Sequence, residues 1–247
     1  VTTVAQLMDP EIFKDVLGAY QTTYDPRQSG RSRNLSLAAE KINGIILQPG
    51  EAFSFNAAVG PVTAEEGYQE GSVLVNGQYV PGVGGGICQI STTLYAAVLK
   101  SELTVTERHN HGFPASYIPM GLDAAVAAEA GLDFCFFNNT EFPICLWAYA
   151  DDGFAEVRIY GTEVRKPERQ LSFYTEMAVR EEKPEPVIQL DASKPIGYRC
   201  VLQEGRQGGR VDTYRQITEN GTEKVERISV SYYKSSADWI CVGTGER

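Results

Sequence analysis

Hydrophobic and polar positions follow two different periods along this chain, and the change of period separates helices from strands. A repeat of three to four residues, typical of a helix with one apolar face, covers 10–17, 31–44 and 87–99. The apolar positions of the third repeat share one face: Ile87, Ile90, Leu94 and Val98. We therefore expect three helices, each with one face turned towards a core.

Strand-like alternation lies between and after these helices. The clearest case is a hairpin in which Asn76-Gly77 separates 72–75 from 78–80, because Asn-Gly favours a two-residue hairpin turn. After the third helix, a strand at 103–106 leads towards two histidines. The other predicted strands are 19–25, 45–47, 53–55, 142–150 and 155–160.

A change in composition divides the chain after the last of these strands. The segment 162–186 is rich in charge and proline, and the sequence beyond it is strand-rich with Asn-Gly and Gly-Gly turns. We therefore predict an α+β fold with two domains. Residues 1–165 form a mixed helix and sheet domain, in which a glycine turn leads into a cysteine-bearing helix, and residues 170–247 form a small all-β domain.

Charge and hydropathy narrow the possible partners. The 247 residues carry a net charge of -10, which argues against binding to nucleic acid and against simple adhesion to an anionic membrane. No apolar run approaches the length of a membrane-spanning helix. The chain begins at Val1 rather than Met, so we expect that a signal or anchor has been removed.

The candidate chemistry lies where glycines run into the third helix. Gly84, Gly85 and Gly86 precede Cys88, which falls in the first turn, where free N–H groups and the helix dipole favour a thiolate. The same turn is expected to bind substrate through backbone N–H groups. Gln89, Ser91 and Arg108 are predicted to line the site beside them.

The only two histidines, His109 and His111, follow soon after this helix. On a strand both would point to the same face, so either is a candidate base for Cys88. Asp123 is the candidate that orients the imidazole, since a carboxylate fixes the tautomer in a Cys–His–acid arrangement. Asp133, in a similar Gly-Leu-Asp sequence, is the other candidate or a structural residue.

Each of these residues also has a structural interpretation. Cys88 is as well explained by packing, and the glycines by two backbones that pass closely. Arg31 and Arg33 bind an anion or are simply solvated. We expect no cofactor and no metal: GxGxxG is absent, no lysine follows the glycine run, and zinc on Cys88, the histidines and an aspartate is a minor alternative.

The other four cysteines allow two pairings. Cys135 and Cys145 flank a possible hairpin turn, and Cys200 and Cys241 lie in strand-like runs near the ends of the second domain. Two such disulfides would leave Cys88 as the unpaired thiol of an exported protein. Four buried free thiols are the alternative.

Several motifs in one order resemble the VanW-like family of bacterial cell-envelope proteins, over about residues 20–161. The motifs are Arg31–Asn34, Pro49–Asn56, Val59–Tyr68, Gly84–Tyr95, Glu107–His111 and Tyr117–Ala124. The resemblance implies an extracytoplasmic protein of the cell envelope and favours Asp123 over Asp133. The ending of the chain is similar to the G5 module, which is linked to cell-wall sugar binding.

Two functions follow from these observations. The first is an enzyme that uses Cys88, His111 or His109, and Asp123 for acyl chemistry on peptidoglycan peptides. The second is a non-catalytic protein that binds cell-wall glycan or peptide and in which Cys88 is structural. A thiol that reacts in the native protein distinguishes the first from the second.

Overall fold

The chain folds into two regions that are mostly β-sheet. A computed structural model describes residues 13–75 and 78–245, and within these ranges it contains three α-helices. The N-terminal region, residues 13–161, comprises β1 (Asp15–Thr23), α1 (Ser29–Ile42), β2 (Ile46–Leu47), β3 (Ala52–Ser54), α2 (Phe55–Val59), β4 (Glu70–Val75), β5 (Gln78–Val83), α3 (Ile87–Lys100), β6 (Thr104–Glu107), β7 (Cys135–Phe137), β8 (Ile144–Asp151) and β9 (Phe154–Gly161).

An antiparallel sheet with the strand order β1-β9-β8-β2 forms the base of the N-terminal region. Helices α1 and α3 pack against this sheet, α1 mainly on β8 and α3 on β1 and β9. The predicted apolar face of α1 is confirmed, since Leu35, Ala38, Ala39 and Ile42 are at most 1% exposed. The main hydrophobic core therefore lies between the two helices and the sheet.

Two smaller β-structures complete this region. Strands β3, β7 and β6 form a three-stranded antiparallel sheet, and Phe53 stacks on Phe136 across it with 4.9 Å between ring centroids. Strands β4 and β5 pair as the predicted antiparallel hairpin, whose Asn76-Gly77 turn lies outside the described residues. The hairpin leads directly into the glycine turn before α3.

The C-terminal module, residues 170–245, is all β. Its strands are β10 (Gln170–Glu181), β11 (Val187–Pro195), β12 (Arg199–Gln203), β13 (Gly208–Glu219), β14 (Thr222–Tyr233) and β15 (Trp239–Gly245). They form two three-stranded sheets with the orders β10-β13-β14 and β11-β15-β12. β11 runs parallel to β15, and the other pairs are antiparallel.

Two predictions fail in this fold. The helix predicted at 10–17 begins outside the described residues, and Asp15–Leu17 belong to β1, where pairing with β9 outweighs the weak stability of a short helix. The pairing of Cys135 with Cys145 across a hairpin is also wrong, because both are free thiols and β7 and β8 belong to different sheets. Among the described helices, none has the length and apolar character needed to cross a membrane.

Candidate functional site

Cys88 is the second residue of α3 and follows a tight glycine turn. Gly84 and Gly86 have φ angles of 76° and 121°, which residues with a side chain rarely adopt. Gly85 passes so close to Gly71 that a Cβ on it would lie 2.5 Å from the Gly71 carbonyl carbon. The turn therefore requires glycine both for its conformation and for the approach of two backbones.

Two N–H groups at this turn have no hydrogen-bond acceptor within the described ranges. The N–H groups of Gly84, Gly85, Ile87 and Gln89 donate to backbone carbonyls at 2.8–3.2 Å. Those of Gly86 and Cys88 make no such bond in the described part of the chain. A helix start leaves its first N–H groups available, so this turn offers two donors beside the Cys88 sulfur.

His111 and Asp123 form a close buried pair next to Cys88. His111 Nδ1 lies 2.6 Å from Asp123 Oδ2, and the backbone N–H of His111 donates to the same oxygen at 2.7 Å. The Asp123 side chain is 1% exposed and that of His111 is 23% exposed. Because the carboxylate occupies Nδ1, the other ring nitrogen, Nε2, is the one left to interact with Cys88, whose Sγ lies 3.4 Å from the backbone carbonyl oxygen of Val126.

The electrostatics of this group favour a charged pair. Burial acts to raise the pKa of Cys88, but the hydrogen bond and charge of His111 bring that pKa below its ordinary value. Burial likewise opposes protonation of His111, but hydrogen bonds to Asp123 and Cys88 raise its pKa to about 10. Each residue therefore favours the charged form of the other, the thiolate of Cys88 and the imidazolium of His111.

Two other thiols of the N-terminal region have pKa values that are raised and not lowered. Burial raises the pKa of Cys145 to about 11, and burial together with Asp133 raises the pKa of Cys135 to about 12. These thiols stay protonated at neutral pH. Cys88 is thus electrostatically distinct from cysteines elsewhere in the same region.

α1 brings two polar side chains to the site. Arg31 lies close enough to Cys88 for its charge to favour the thiolate, and its Nη2 donates to Gln89 Oε1 at 2.6 Å. Asn34 is one turn further along α1, and its Nδ2 donates to Gly85 O at 3.0 Å. The first helix therefore holds both the glycine turn and the cation beside the sulfur.

A loop of residues 108–124, which we call the site loop, carries His111 and Asp123. Asp123 Oδ1 accepts hydrogen bonds from Arg108 Nη2 at 3.0 Å and from the hydroxyl of Tyr233. Arg108 Nε also donates to the backbone carbonyl of Asp123 at 2.6 Å. Burial acts to raise the pKa of Asp123, but His111 and Arg108 hold it below its usual range.

Three residues predicted to bind substrate face the interior instead. The side chain of Arg108 is 7% exposed and lies behind Asp123. Gln89 is 1% exposed and holds Arg31, while Ser91 is fully buried and donates to Ala124 O at 2.6 Å. All three side chains are buried and have internal partners, so the structure places them behind the site and not on its surface.

The structure separates the two histidines. β6 ends at Glu107, so the expected strand does not continue through the histidines. His109 Nε2 lies 2.9 Å from Glu107 Oε1, whereas His111 joins Asp123 and Cys88. Asp133 is structural, since its carboxylate accepts from Ser54 and from the N–H of Asn56 at the start of α2.

The zinc alternative gains no support from this arrangement. No cluster of three or more His, Cys, Asp or Glu side chains suited to a metal ion occurs among the residues that the structure describes. His109 pairs with Glu107 and not with the Cys88 group, so one of the four ligands that the zinc alternative requires is missing from the site.

The sequence leaves one residue of the site open and gives no role to two others. Arg31 is either an anion binder or a solvated residue by sequence, and its spacing of three from Asn34 is a usable sign of a shared helix face. Tyr117 lies edge-on to the His111 ring, with centroids 6.5 Å apart, and belongs to a motif already noted. Tyr233 had no local signal, because it lies more than a hundred residues from Asp123 in sequence.

Comparisons with known proteins agree with the two-region organisation. The family model described as VanW like protein matches residues 30–160, more than half of the chain, and the G5 domain model matches residues 175–244. The uncharacterized protein YoaR of Bacillus subtilis (strain 168) is 38% identical over 148 residues, which cover 60% of this chain and 48% of that protein.

A second relative carries a functional name. The vancomycin B-type resistance protein VanW of Enterococcus faecalis (strain ATCC 700802 / V583) is 33% identical over 130 residues, covering 51% of this chain and 47% of that protein. The chain spans about half the length of the curated relatives it matches. Among solved structures, an IgA1 protease G5 domain is 27% identical and covers 34% of this chain and 100% of that domain, with a TM-score of 0.21.

Proposed function

The chain belongs to the VanW-like family, and from this premise we propose that it is a cell-envelope protein that acts on peptidoglycan peptides through Cys88. Two of the comparisons support a place in the cell envelope and peptidoglycan as the target. One is a relative named for vancomycin resistance, and the other is a C-terminal match to G5, a module linked to cell-wall binding. We likewise propose domains of 1–165 and 170–247, with the two family matches falling on either side of that boundary.

One observation carries the enzymatic part of the proposal: His111 is hydrogen-bonded to the buried Asp123 and lies close enough to Cys88 to lower the pKa of its thiol. A thiolate at a helix start, paired with an imidazolium that a buried carboxylate orients, is the arrangement used for nucleophilic attack on acyl groups. The arrangement fits the Cys–His–acid hypothesis with His111 as the base. His109 has no part in it, since it pairs with Glu107.

The chemistry follows in two steps. The Cys88 thiolate attacks the carbonyl carbon of a peptide bond, and the oxyanion that forms is held by the free N–H groups of Gly86 and Cys88. His111 Nε2–H then protonates the leaving amine as the C–N bond breaks, which leaves a thioester. Water or a second amine attacks that thioester, gives its proton to neutral His111 and releases the thiolate.

Arg31 has a place in this scheme. Among the site residues it is a cation beside the sulfur, and only its Nη2 has a hydrogen-bond partner within the described ranges, on Gln89. Its remaining donors are available to a carbonyl or carboxylate of the peptide. We assign substrate contact to Arg31 and the glycine turn, and assign Arg108, Gln89 and Ser91 to the support of the site.

Alkylation of the native protein tests the proposal. Iodoacetamide is added across pH 5 to 9, and each modified cysteine is identified by mass spectrometry, with Cys135 and Cys145 as internal controls. We expect selective modification of Cys88 with a midpoint well below that of a free thiol, about pH 8.5. Modification only after unfolding would show that Cys88 is packing and would favour the non-catalytic binding function.

A second experiment tests the substrate class. Native protein is incubated with soluble muropeptides and examined by intact mass, beside a Cys88→Ala variant. We expect a thioester adduct on the wild-type chain and none on the variant. A reactive Cys88 that never forms an adduct, together with retention on insoluble peptidoglycan, would restrict the chain to binding.

A further inference from the structure

The C-terminal module reaches into the candidate active site through strand β14. Ser231 and Tyr233, two residues apart and therefore on one face of the strand, both point towards the site loop and are at most 3% exposed. Tyr232, between them, points the other way and is 66% exposed. One face of a strand that belongs to a separate sheet thus covers the back of the site.

The contact with Asp123 is direct. The Tyr233 hydroxyl donates to Asp123 Oδ1 and accepts the N–H of Gly121 at 2.6 Å. Ser231 Oγ accepts from Arg108 Nη1 at 2.7 Å, while Arg108 Nη2 donates to the same carboxylate oxygen as Tyr233. One donor to Oδ1 is therefore a side chain of β14, and the other, Arg108, is held partly by Ser231 of β14 and partly by the carbonyls of Asp123 and Gly121.

The other carboxylate oxygen of Asp123, Oδ2, holds the imidazole of His111. Asp123 Oδ2 accepts from the backbone N–H and ring Nδ1 of His111. With two donors on each oxygen, the rotation of the carboxylate is fixed, and the direction of Oδ2 depends on what holds Oδ1. A displacement of β14 would therefore turn the carboxylate away from His111 and weaken its hold on the imidazole.

Further contacts join the same two surfaces. Thr213 Oγ1 on β13 donates to Gly121 O at 3.1 Å, and Asn110 Nδ2 donates to Tyr232 O at 2.7 Å. The backbone N–H of Lys234 donates to Gly112 O at 2.8 Å. The site loop is therefore hydrogen-bonded to the C-terminal module at both of its ends and beside the catalytic pair.

We infer that the C-terminal module completes the active site, with Tyr233 as a positioning residue that fixes Asp123 through its hydroxyl. This inference rests on the proposed function. It assigns the module a part in catalysis that is separate from any binding to the wall. The chemistry of Cys88 then requires β14 to be docked on the site loop.

Two tyrosine variants of the full chain test the inference. Tyr233→Phe removes only the hydroxyl that Asp123 accepts, and Tyr232→Phe, on the exposed face, is the matched control. We expect Tyr233→Phe to lower the rate constant for Cys88 alkylation at pH 6 about tenfold and to move its midpoint to higher pH, since small misplacements at such sites are costly. Tyr232→Phe is expected to match the wild type in both measurements.

The outcomes separate this inference from the proposed function. If the wild-type midpoint is not depressed, the proposed function fails. If it is depressed and folded Tyr233→Phe has an unchanged pH profile, the proposed function stands and the positioning role of Tyr233 is wrong. Should Tyr233→Phe fail to fold, Ser231→Ala decides instead, because it removes the acceptor that holds Arg108, and an unchanged profile there would overturn the inference.

Discussion

The N-terminal region and the C-terminal module bury their side chains in different ways. Most buried apolar residues lie before residue 162, on α1, α3 and the strands beneath them. In the module, the buried apolar residues of the described chain are Val211, Ile217, Tyr233, Ile240 and Cys241. Strands β11 and β12 instead expose large apolar side chains, among them Leu190 and Leu202 at 67% and 52%.

Buried polar residues sharpen this difference. In the module they are Asp212, Thr213 and Ser231, all on β13 or β14. Thr213 and Ser231 donate to or accept from residues of the site loop. Two of these three polar groups are thus buried where the module meets the N-terminal region, whereas Asp212 pairs with Arg210 and Arg227 within the module. One region therefore holds the main core, while the other contributes one buried face to the candidate site.

The largest effect is expected in the core of the N-terminal region. Phe134 is fully buried and packs edge-on against Tyr95 of α3, with centroids 5.5 Å apart. Phe134→Ala should lower the free energy of unfolding by about 3–5 kcal/mol, because it removes a large buried ring and leaves a cavity. Urea unfolding measures this loss.

Leu202→Ala in the module is the matched control for that substitution. Leu202 is 52% exposed, so we expect its change to stay within about 0.5 kcal/mol. If Phe134→Ala and Leu202→Ala lowered the free energy of unfolding equally, the N-terminal region would not be the one region with a substantial core.

The next effect concerns the carboxylate that both regions hold. Asp123→Asn removes the charge that raises the pKa of His111, so the thiolate of Cys88 loses its stabilised partner. A thiol of ordinary pKa is thiolate to less than about 1% at pH 6. We therefore expect alkylation of Cys88 at pH 6 to slow about a hundredfold.

Asp133→Asn is the control for this variant, because Asp133 holds α2 and lies outside the Cys88 pair. Its Cys88 alkylation should follow the wild-type pH profile. A normal rate in Asp123→Asn would show that the carboxylate does not act on Cys88 through His111.

Local periodicity predicts much of the N-terminal region and less of the site. The faces of α1 and the β4–β5 hairpin follow from spacing alone. Cys88, His111 and Asp123 come from residue chemistry together with motif order. The choice between His109 and His111 could not be made, because it depends on where β6 ends and on which carboxylate each imidazole meets.

The remaining site residues depend on contacts that a single sequence does not encode locally. Arg108 faces inward because Asp123 and Ser231 both accept its donors, and Tyr233 meets Asp123 across a separation of 110 residues. Residues 15–17 carry a helical pattern and form a strand because β9 is there to pair with them. Long-range packing overrides local preference at these positions.

A smaller effect is expected within the module. Cys200 and Cys241 are direct partners across the antiparallel pair β12 and β15. Directly opposed residues have Cα atoms about 4.5–5.5 Å apart, which is within the range for a disulfide. Oxidised glutathione should therefore convert the two thiols to a disulfide, with reduction to two glutathione molecules, and raise the stability of the module by about 2 kcal/mol.

Peptide mapping under non-reducing conditions checks this cross-link. Cys135 and Cys145 serve as the control, since they lie in different sheets and should remain unlinked. If Cys200 and Cys241 stay unlinked after oxidation, the register between β12 and β15 is wrong.

The smallest effect is expected in the dependence of stability on pH. The folded pKa of His111 is about 10 against 6.5 in its ordinary state, so its contribution is full below pH 6.5 and declines as the pH rises towards 10. Cys88 has the opposite sign: its depressed pKa contributes stability above its ordinary value of 9.0, and that contribution declines as the pH falls. Between pH 6.5 and 9.0 the two slopes have opposite signs and oppose each other.

The wild-type Tm should therefore change less between pH 6.5 and 9.0 than His111 alone would make it change. Cys88→Ser removes one member of the pair, while His111 keeps its hydrogen bond to Asp123. We expect the Tm of this variant to fall by about 2–4 °C relative to the wild type over that range, which corresponds to about 1 kcal/mol in a chain of this size. If the Tm of the wild type and that of Cys88→Ser change with pH in the same way, folding does not transfer a proton from Cys88 to His111. The two residues would then be a neutral pair.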